Sequence, residues 1–204
     1  MDSVITVVGN IGSGKSTAVR ELGSRLGAEV FIEDYRSNPY LARFYEEPRR
    51  WAFRSQLHFL SESAASDLAA RIAEKSALVE LGYNFVHSVM TTEMHAEGLI
   101  GQHEFALLRS LAAALDGQLR VPDLVVLLTA PVGELLRRIE ARGRAFEFAI
   151  DSGYLERISS RYEEVLGGWT RSPTLRIDTT EIDVRDPGGA GWACKQIQTA
   201  LAAA

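Results

Sequence analysis

The sequence predicts an α/β chain, with five parallel strands in one sheet and helices on both faces. Three observations carry this expectation. Short apolar runs alternate with longer helix-period stretches along the chain. A glycine-rich loop, GNIGSGKST at residues 9–17, joins the first apolar run to the first helix. Acidic residues close the second and third runs, on the edge where that loop lies. Strands separated by helices run parallel, because each crossover returns the chain to the same end of the sheet, and the helices then cover both faces. Ligands of such sheets bind beyond the carboxyl ends of the strands.

In order, 4–8 (VITVV) reads as a buried strand and 15–26 as the helix after the loop. Residues 30–32 form a second short strand ending at Glu33 and Asp34. Pro48 opens a long helix to about residue 75, with apolar side chains at Trp51, Phe53, Leu57, Leu60 and Ala64. Residues 77–79 are the third strand. Two helices follow, over 83–98 and 102–116, parted by Gly98 and Gly101. The fourth strand is 124–128, and the next helix, 132–142, stops at Gly143. A helix over 154–165, a fifth strand over 174–178 and a C-terminal helix complete the pattern, and 185–191 (RDPGGAG) reads as the loosest segment. With neither an internal repeat nor a linker, 1–204 reads as a single domain.

Hydrophobic residues make up 46% of the chain and charged ones 24%, the balance of a soluble globular protein. A net charge of −5 argues against a general nucleic-acid surface. The single cysteine, Cys194, excludes an internal disulfide framework and suits a reducing cytoplasm. No apolar stretch approaches the ~20 residues of a membrane span, and the N-terminus enters a strand with no basic leader. The expected location is therefore cytoplasmic, and no membrane partner is expected. Of 22 basic residues only Lys15, Lys75 and Lys195 are lysines. A lysine inside the glycine loop of so lysine-poor a chain is there for its ammonium.

The loop fits G-x-x-x-x-G-K-[ST], with Gly9, Gly14, Lys15 and Ser16 at the fixed positions. In such a P-loop, glycines let backbone N–H groups turn onto phosphates, the lysine reaches the terminal ones, and the serine hydroxyl serves Mg²⁺. The helix starting there adds its positive dipole end. Asn10, Gly12, Ser13, Gly14, Lys15, Ser16 and Thr17 are the candidate nucleotide-binding residues, ATP and Mg²⁺ the expected cofactors, and a P-loop three-layer sandwich the expected fold. Transfer to a hydroxyl needs a base within reach, and Mg²⁺ needs an acid near the loop serine. Glu33 and Glu80, at strand ends, can supply one each. A third feature is RRIEARGRAFE, 137–147. Arg138, Arg142 and Arg144 cluster there at a helix end, where guanidinium forks match phosphate oxygens. A cation at a helix C-terminus is favoured anyway, which accounts for one arginine better than for three. His58, His87, His95 and His103 show no metal-ligand spacing.

Four stretches together resemble the deoxynucleoside kinases, especially the short bacterial deoxyadenosine/deoxyguanosine kinase branch, from about residue 4 to 183. They are GNIGSGKST, NPYLARFYEEPRRWAFRSQLHFL, MHAEGLIGQHEFALLRSL and RRIEARGRAFEFAIDSGYLERI. The resemblance implies a five-stranded parallel sheet, a homodimer, and phosphoryl transfer from ATP to a nucleoside 5′-hydroxyl. By matching position it implies Glu33 as general base, Tyr45 as a sugar contact and Gln56 as reader of the base edge. Glu80 would help hold Mg²⁺. Arg138, Arg142 and Arg144 would form a lid, about 137–150, with Lys15 and Arg142 acting in the transfer. His58 falls where the family often carries a pocket aromatic.

The chain also departs from that pattern. Where the family has Glu-Arg-Ser after strand three, this sequence has Glu80-Leu81-Gly82. A second expected arginine is Ser63, and acids expected near the sugar fall on Val86 and Gly153. The donor half is intact and the acceptor half rewritten. Losing a buried partner of a substrate hydroxyl weakens discrimination, so ordinary deoxynucleosides are expected to be poor acceptors. Arg36 and Arg54 are candidates to replace the lost charge. Trp51 and Phe53 read as packing residues, and Trp169 and Trp192 as surface or interface ones. The acceptor stays open at this level: a nucleoside or modified nucleoside, or, on the same scaffold, a non-nucleoside intermediate or a modified base in DNA. A nucleotide-binding subunit without transfer is the third reading, against which the retained Glu33 argues.

Overall fold

The computed structural model describes residues 3–144, 146–147 and 150–203. Strands β1 (Val4–Gly9), β2 (Glu29–Phe31), β3 (Ala77–Glu80), β4 (Leu124–Thr129) and β5 (Thr174–Asp178) form one sheet in the order β2-β3-β1-β4-β5. Every neighbouring pair is parallel. The register sets Val7 beside Glu80 and Gly9 beside Leu128, so the carboxyl ends of the three central strands lie together.

Side chains along these strands alternate between two cores, as the two-residue period of a strand requires. Ile5, Val7, Leu124, Val126 and Leu128 pack with Ala18, Val19 and Leu22 of α1 (Lys15–Leu26) and Ala190, Ala193 and Ile197 of α9 (Pro187–Ala202). Val8, Val125 and Leu127 face the other way. They join α3 (Pro48–Arg71), α6 (Gln102–Asp116), α8 (Ser152–Gly167) and the helical stretch over 83–96. α2 (Leu41–Glu46) and α7 (Val132–Arg142) complete the helices that border the strand ends.

The expected elements are present, with four differences. The long helix stops at Arg71, short of residue 75, because the chain must turn to enter β3, where the Ala77 N–H reaches the Ser3 carbonyl at 2.8 Å. The stretch expected as a plain helix over 83–98 is α-helical at α4 (Tyr83–Phe85), π-wound over Val86–Thr91 and α-helical again at α5 (Thr92–Ala96). The segment expected to be loosest instead opens α9. Pro187 takes the first turn, where its missing N–H is no loss, and Gly189 packs against backbone, since a Cβ there would lie 2.2 Å from the Asp183 oxygen. The sequence reading also lacked α2 and the one-turn Tyr35–Ser37, both too short to show a period.

Candidate active site

β1 delivers the chain into the P-loop, and the glycines there answer to specific crowding. A Cβ on Gly9 would lie 2.4 Å from the Leu128 carbonyl oxygen, and one on Gly12 would lie 2.9 Å from that of Leu135. Gly14, with φ of 93°, is the N-cap of α1 and takes the left-handed turn open to glycine. The Lys15 ammonium bends back over the loop and donates to the Gly9 and Asn10 carbonyls, both at 3.0 Å. Burial pushes its pKa down, opposed by the nearby carboxylates of Glu80 and Glu33. A phosphate is the natural partner for a cation so held.

The Ser16 hydroxyl donates to Glu80 Oε1 at 2.7 Å, while Glu80 Oε2 is buried without a hydrogen-bond partner among the described residues. An orphaned carboxylate oxygen beside a hydroxyl fits a small divalent cation. Among the described residues no group of three or more acidic, His or Cys side chains gathers to cage one, so phosphate and water oxygens would complete the shell, as Mg²⁺ prefers.

Glu33 follows β2 and lines the same cavity. Burial, and next the Glu80 carboxylate, raise its pKa to about 7, against the pull of Lys15 and Arg144. A carboxylate held near neutrality suits a general base working at neutral pH.

These groups open on one cavity of about 320 Å³. Lys15, Ser16, Arg20, Arg142 and Arg144 line its charged part. Leu41, Phe44, Phe59, Leu81, Val86, Met90 and Met94 line the apolar remainder, into which Tyr45 and Gln56 place polar groups. Leu81, just beyond β3, holds a positive φ of 53° against the steric preference of a leucine, strain of the kind found at pocket walls.

Arg142 forks onto Glu147 at 2.6 and 2.7 Å, and Arg144 reaches the same carboxylate at 3.3 Å. Arg144 also lies 3.7 Å from the Tyr35 ring centroid, and Phe146 packs 5.4 Å from Tyr45. Glu147 is 4% exposed and lines the cavity close enough to Tyr45 to push the phenol pKa further up, after burial and Tyr154.

Two residues expected to touch nucleotide, Asn10 and Arg138, lie outside the cavity lining, although Arg138 also reaches the Gly12 carbonyl of the P-loop at 3.5 Å. The Asn10 amide donates to the Leu155 carbonyl (2.7 Å) and the Ser159 hydroxyl (2.8 Å), tying the P-loop to α8. Arg138 is outside the cavity lining. It donates to Thr179 Oγ1 at 2.7 Å and to the Thr179 carbonyl at 3.0 Å, and Glu134 holds it from the other side. Gly12, Gly14, Lys15, Ser16 and Thr17 do line the cavity, whereas Ser13 is buried in the turn beneath. Of the expected lid, 145, 148 and 149 lie outside the described residues.

The acceptor side corrects one expectation in part. Leu81 and Val86 line the cavity where charges were expected, and Ser63 is buried on α3 away from it. Glu147, however, supplies a carboxylate beside Tyr45. It lies within the arginine stretch 137–147, and only the fold shows that it turns inward, so sequence reasoning misses it. Arg20 was also missed; it stands one turn into α1, and spacing from Ser16 could have found it. Arg36 and Arg54 are exposed, packed over Tyr35 and Trp51. His58 pairs with the Ser37 hydroxyl at 3.1 Å and is outside the lining. Trp169 is half-buried against Phe85 and Trp192 is 42% exposed.

Comparison with known proteins gives one consistent result. The family model described as deoxynucleoside kinase matches residues 5–188. The chain is similar to the deoxyadenosine/deoxycytidine kinase of Bacillus subtilis (strain 168), with 32% identity over 193 residues covering 90% of this chain and 85% of that one. It is also similar to the deoxyguanosine kinase of the same organism, 29% identical over 185 residues, covering 89% and 87%. The structure of deoxyadenosine kinase from M. mycoides with bound dCTP shares the fold. It aligns with a TM-score of 0.81 over 96% of this chain and 99% of that one, at 22% identity.

Proposed function

Because the chain belongs to the deoxynucleoside kinase family, we propose that it transfers the γ-phosphate of ATP to the 5′-hydroxyl of a 2′-deoxynucleoside, with the residues of the cavity in stated roles. The observation that carries this reading is the single cavity, in which a P-loop, a carboxylate tuned near neutrality and an amide above an apolar floor meet. Lys15 neutralises the β- and γ-phosphates, and Arg142 and Arg144, with Arg20, bear on the charge of the moving phosphoryl group. Glu33 takes the proton from the acceptor hydroxyl as its oxygen attacks phosphorus, and ADP leaves in line. Ser16 and Glu80 would hold Mg²⁺, whose chemistry is to neutralise and orient the phosphate oxygens. Tyr45 and Glu147 address the sugar hydroxyl and Gln56 the base edge, with donor and acceptor on one amide.

Three further points belong to the same proposal. The chain acts as one domain, with 137–150 as the lid. It pairs with a second copy through the exposed Leu68 and Ile72 near the end of α3 and Leu107 and Leu111 of α6, helices that pack side by side. It works in the cytoplasm, where its single cysteine stays reduced. The test is a screen of nucleosides with ATP and Mg²⁺, reading phosphorylated products by mass. A deoxynucleoside monophosphate is the expected product. Transfer only to a non-nucleoside hydroxyl, or to none, would overturn the proposal.

A further inference from the structure

The π-wound segment Val86–Thr91 lies along the apolar floor of the cavity, where it does something that an unbroken α-helix would not. A π-turn adds a residue to the helical repeat and shifts the facing of every side chain after it, and such turns recur at functional sites. Here it sets Thr91 against Gln56. The Thr91 hydroxyl lies 3.1 Å from Gln56 Oε1 and 3.2 Å from the Val86 carbonyl oxygen. Thr91 is wholly buried and Gln56 is 2% exposed. The Gln56 nitrogen makes no hydrogen bond among the described residues, and the side chain lines the cavity.

A hydroxyl has one proton to give and two lone pairs to receive with. Thr91 can therefore support Gln56 in two ways. With its proton on Gln56 Oε1, it holds the amide oxygen and leaves the nitrogen to the cavity. With its proton turned to the Val86 carbonyl, its oxygen receives an N–H from Gln56, and the amide presents its oxygen instead. In both states the Thr91 hydroxyl is hydrogen-bonded to the amide, and the amide group turned to the cavity is left for the base. A base such as adenine or cytosine offers an amino group beside a ring nitrogen acceptor. Guanine or hypoxanthine offers a carbonyl beside a ring N–H. These edges demand opposite senses of the same amide.

We propose that Thr91 is a positioning residue for Gln56, and that its rotatable hydroxyl lets one amide read both amino-edge and oxo-edge bases. The inference rests on the deoxynucleoside kinase reading and deepens it by naming the acceptor class.

The experiment measures initial rates of the full chain with ATP·Mg²⁺ on deoxyadenosine, deoxycytidine, deoxyguanosine and deoxyinosine. The variants are Thr91→Val, Thr91→Ser, Gln56→Ala and the double variant Gln56→Ala/Thr91→Val. The parent is expected to use both base classes with kcat/KM within roughly tenfold of each other. Thr91→Val keeps the shape but lacks the hydroxyl, so KM should rise by about tenfold for both classes with kcat little changed. Thr91→Ser should restore it. In the Gln56→Ala background, Thr91→Val should add nothing, because the partner it serves is gone. A preference above about a hundredfold for one class in the parent would overturn the inference, as would a Thr91→Val effect on one class only. An equal effect of Thr91→Val with and without Gln56 would show a structural role and also overturn it. Transfer to none of the four by the parent would overturn this inference, and transfer to no deoxynucleoside in the wider screen would overturn the function proposal as well, whereas any of the other failures leaves the function proposal standing.

Discussion

Glu33→Gln should lower activity and raise stability at once, and the two effects have different pH dependences. Gln keeps the size and most hydrogen bonding of the side chain but has no basic oxygen. Loss of a general base is typically worth 10²–10⁴-fold, so kcat for the acceptor should fall by about that factor while ATP affinity changes little. The stability effect follows from linkage. The folded pKa of about 7 lies above the ordinary 4.5, so the native state holds the proton more tightly than the unfolded chain. The carboxyl is thus harmless below about pH 4.5 and increasingly unfavourable up to pH 7, with the full penalty present above it. A shift of about 2.5 pKa units corresponds to about 3 kcal/mol, an upper bound because the side chain still borders an open cavity. Relief of that penalty should raise Tm by several degrees at pH 8, at about 2–4 °C per kcal/mol for a chain of this size, and by nothing near pH 4.5. The assays are phosphate transfer and thermal unfolding at several pH values. In the parent, kcat/KM should climb about tenfold per unit below pH 7 and then level, a limb the variant should lack. Unchanged turnover would remove Glu33 as the base and point to its neighbour Asp34. A stability gain that is equal at pH 4.5 and pH 8 would refute the desolvation argument.

Lys15→Ala removes the cation over the P-loop and should weaken ATP binding and nearly abolish turnover; titration showing full affinity would contradict its placement. Glu147→Gln should raise KM for the acceptor, since the Tyr45 side of the cavity loses its carboxylate, and loosen Arg142 and Arg144; steady-state kinetics on both substrates will separate these effects. Asp67, whose carboxylate accepts the Tyr83 N–H at 2.9 Å, is raised by burial to about 6. Asp67→Asn keeps an acceptor there, so it should stabilise the fold above pH 6, by up to about 3 kcal/mol in denaturant titration, with the gain vanishing toward pH 4. A loss of stability at pH 8 would show that the charge itself is needed at the start of α4.

Much of this fold is legible in the sequence, for local reasons. α1 and α7 end at Gly27 and Gly143, both in the left-handed conformation that only glycine adopts freely, and their limits match the expectation residue for residue. β5 does too. The π-winding of 86–91 is not legible, because π and α helices share an apolar stripe too closely over six residues for a period to tell them apart. The placement of Lys15 and Ser16 at the cavity was readable from the motif. The place of Glu147 on the cavity wall and the pairing of Asn10 with Leu155 and of Arg138 with Thr179 were not, since a motif does not show contacts between distant positions. A motif states which residues are available, and only tertiary contact decides which of them face the ligand.

The scarcity of lysine acquires a practical meaning once Lys15 is seen buried with a depressed pKa while Lys75 and Lys195 stand in solvent. An amine reacts as a nucleophile only when unprotonated, so the downward shift that burial gives Lys15 favours its reaction among the lysines. An electrophile carried on a nucleotide phosphate would attach there in preference to the two surface amines, which no nucleotide brings it near. The competing background is small because arginines, rather than lysines, furnish nearly all the other positive charge. One covalent tag per chain, its attachment blocked when ATP already fills the site, would then report occupancy of the donor half in a crude mixture, before any acceptor has been found.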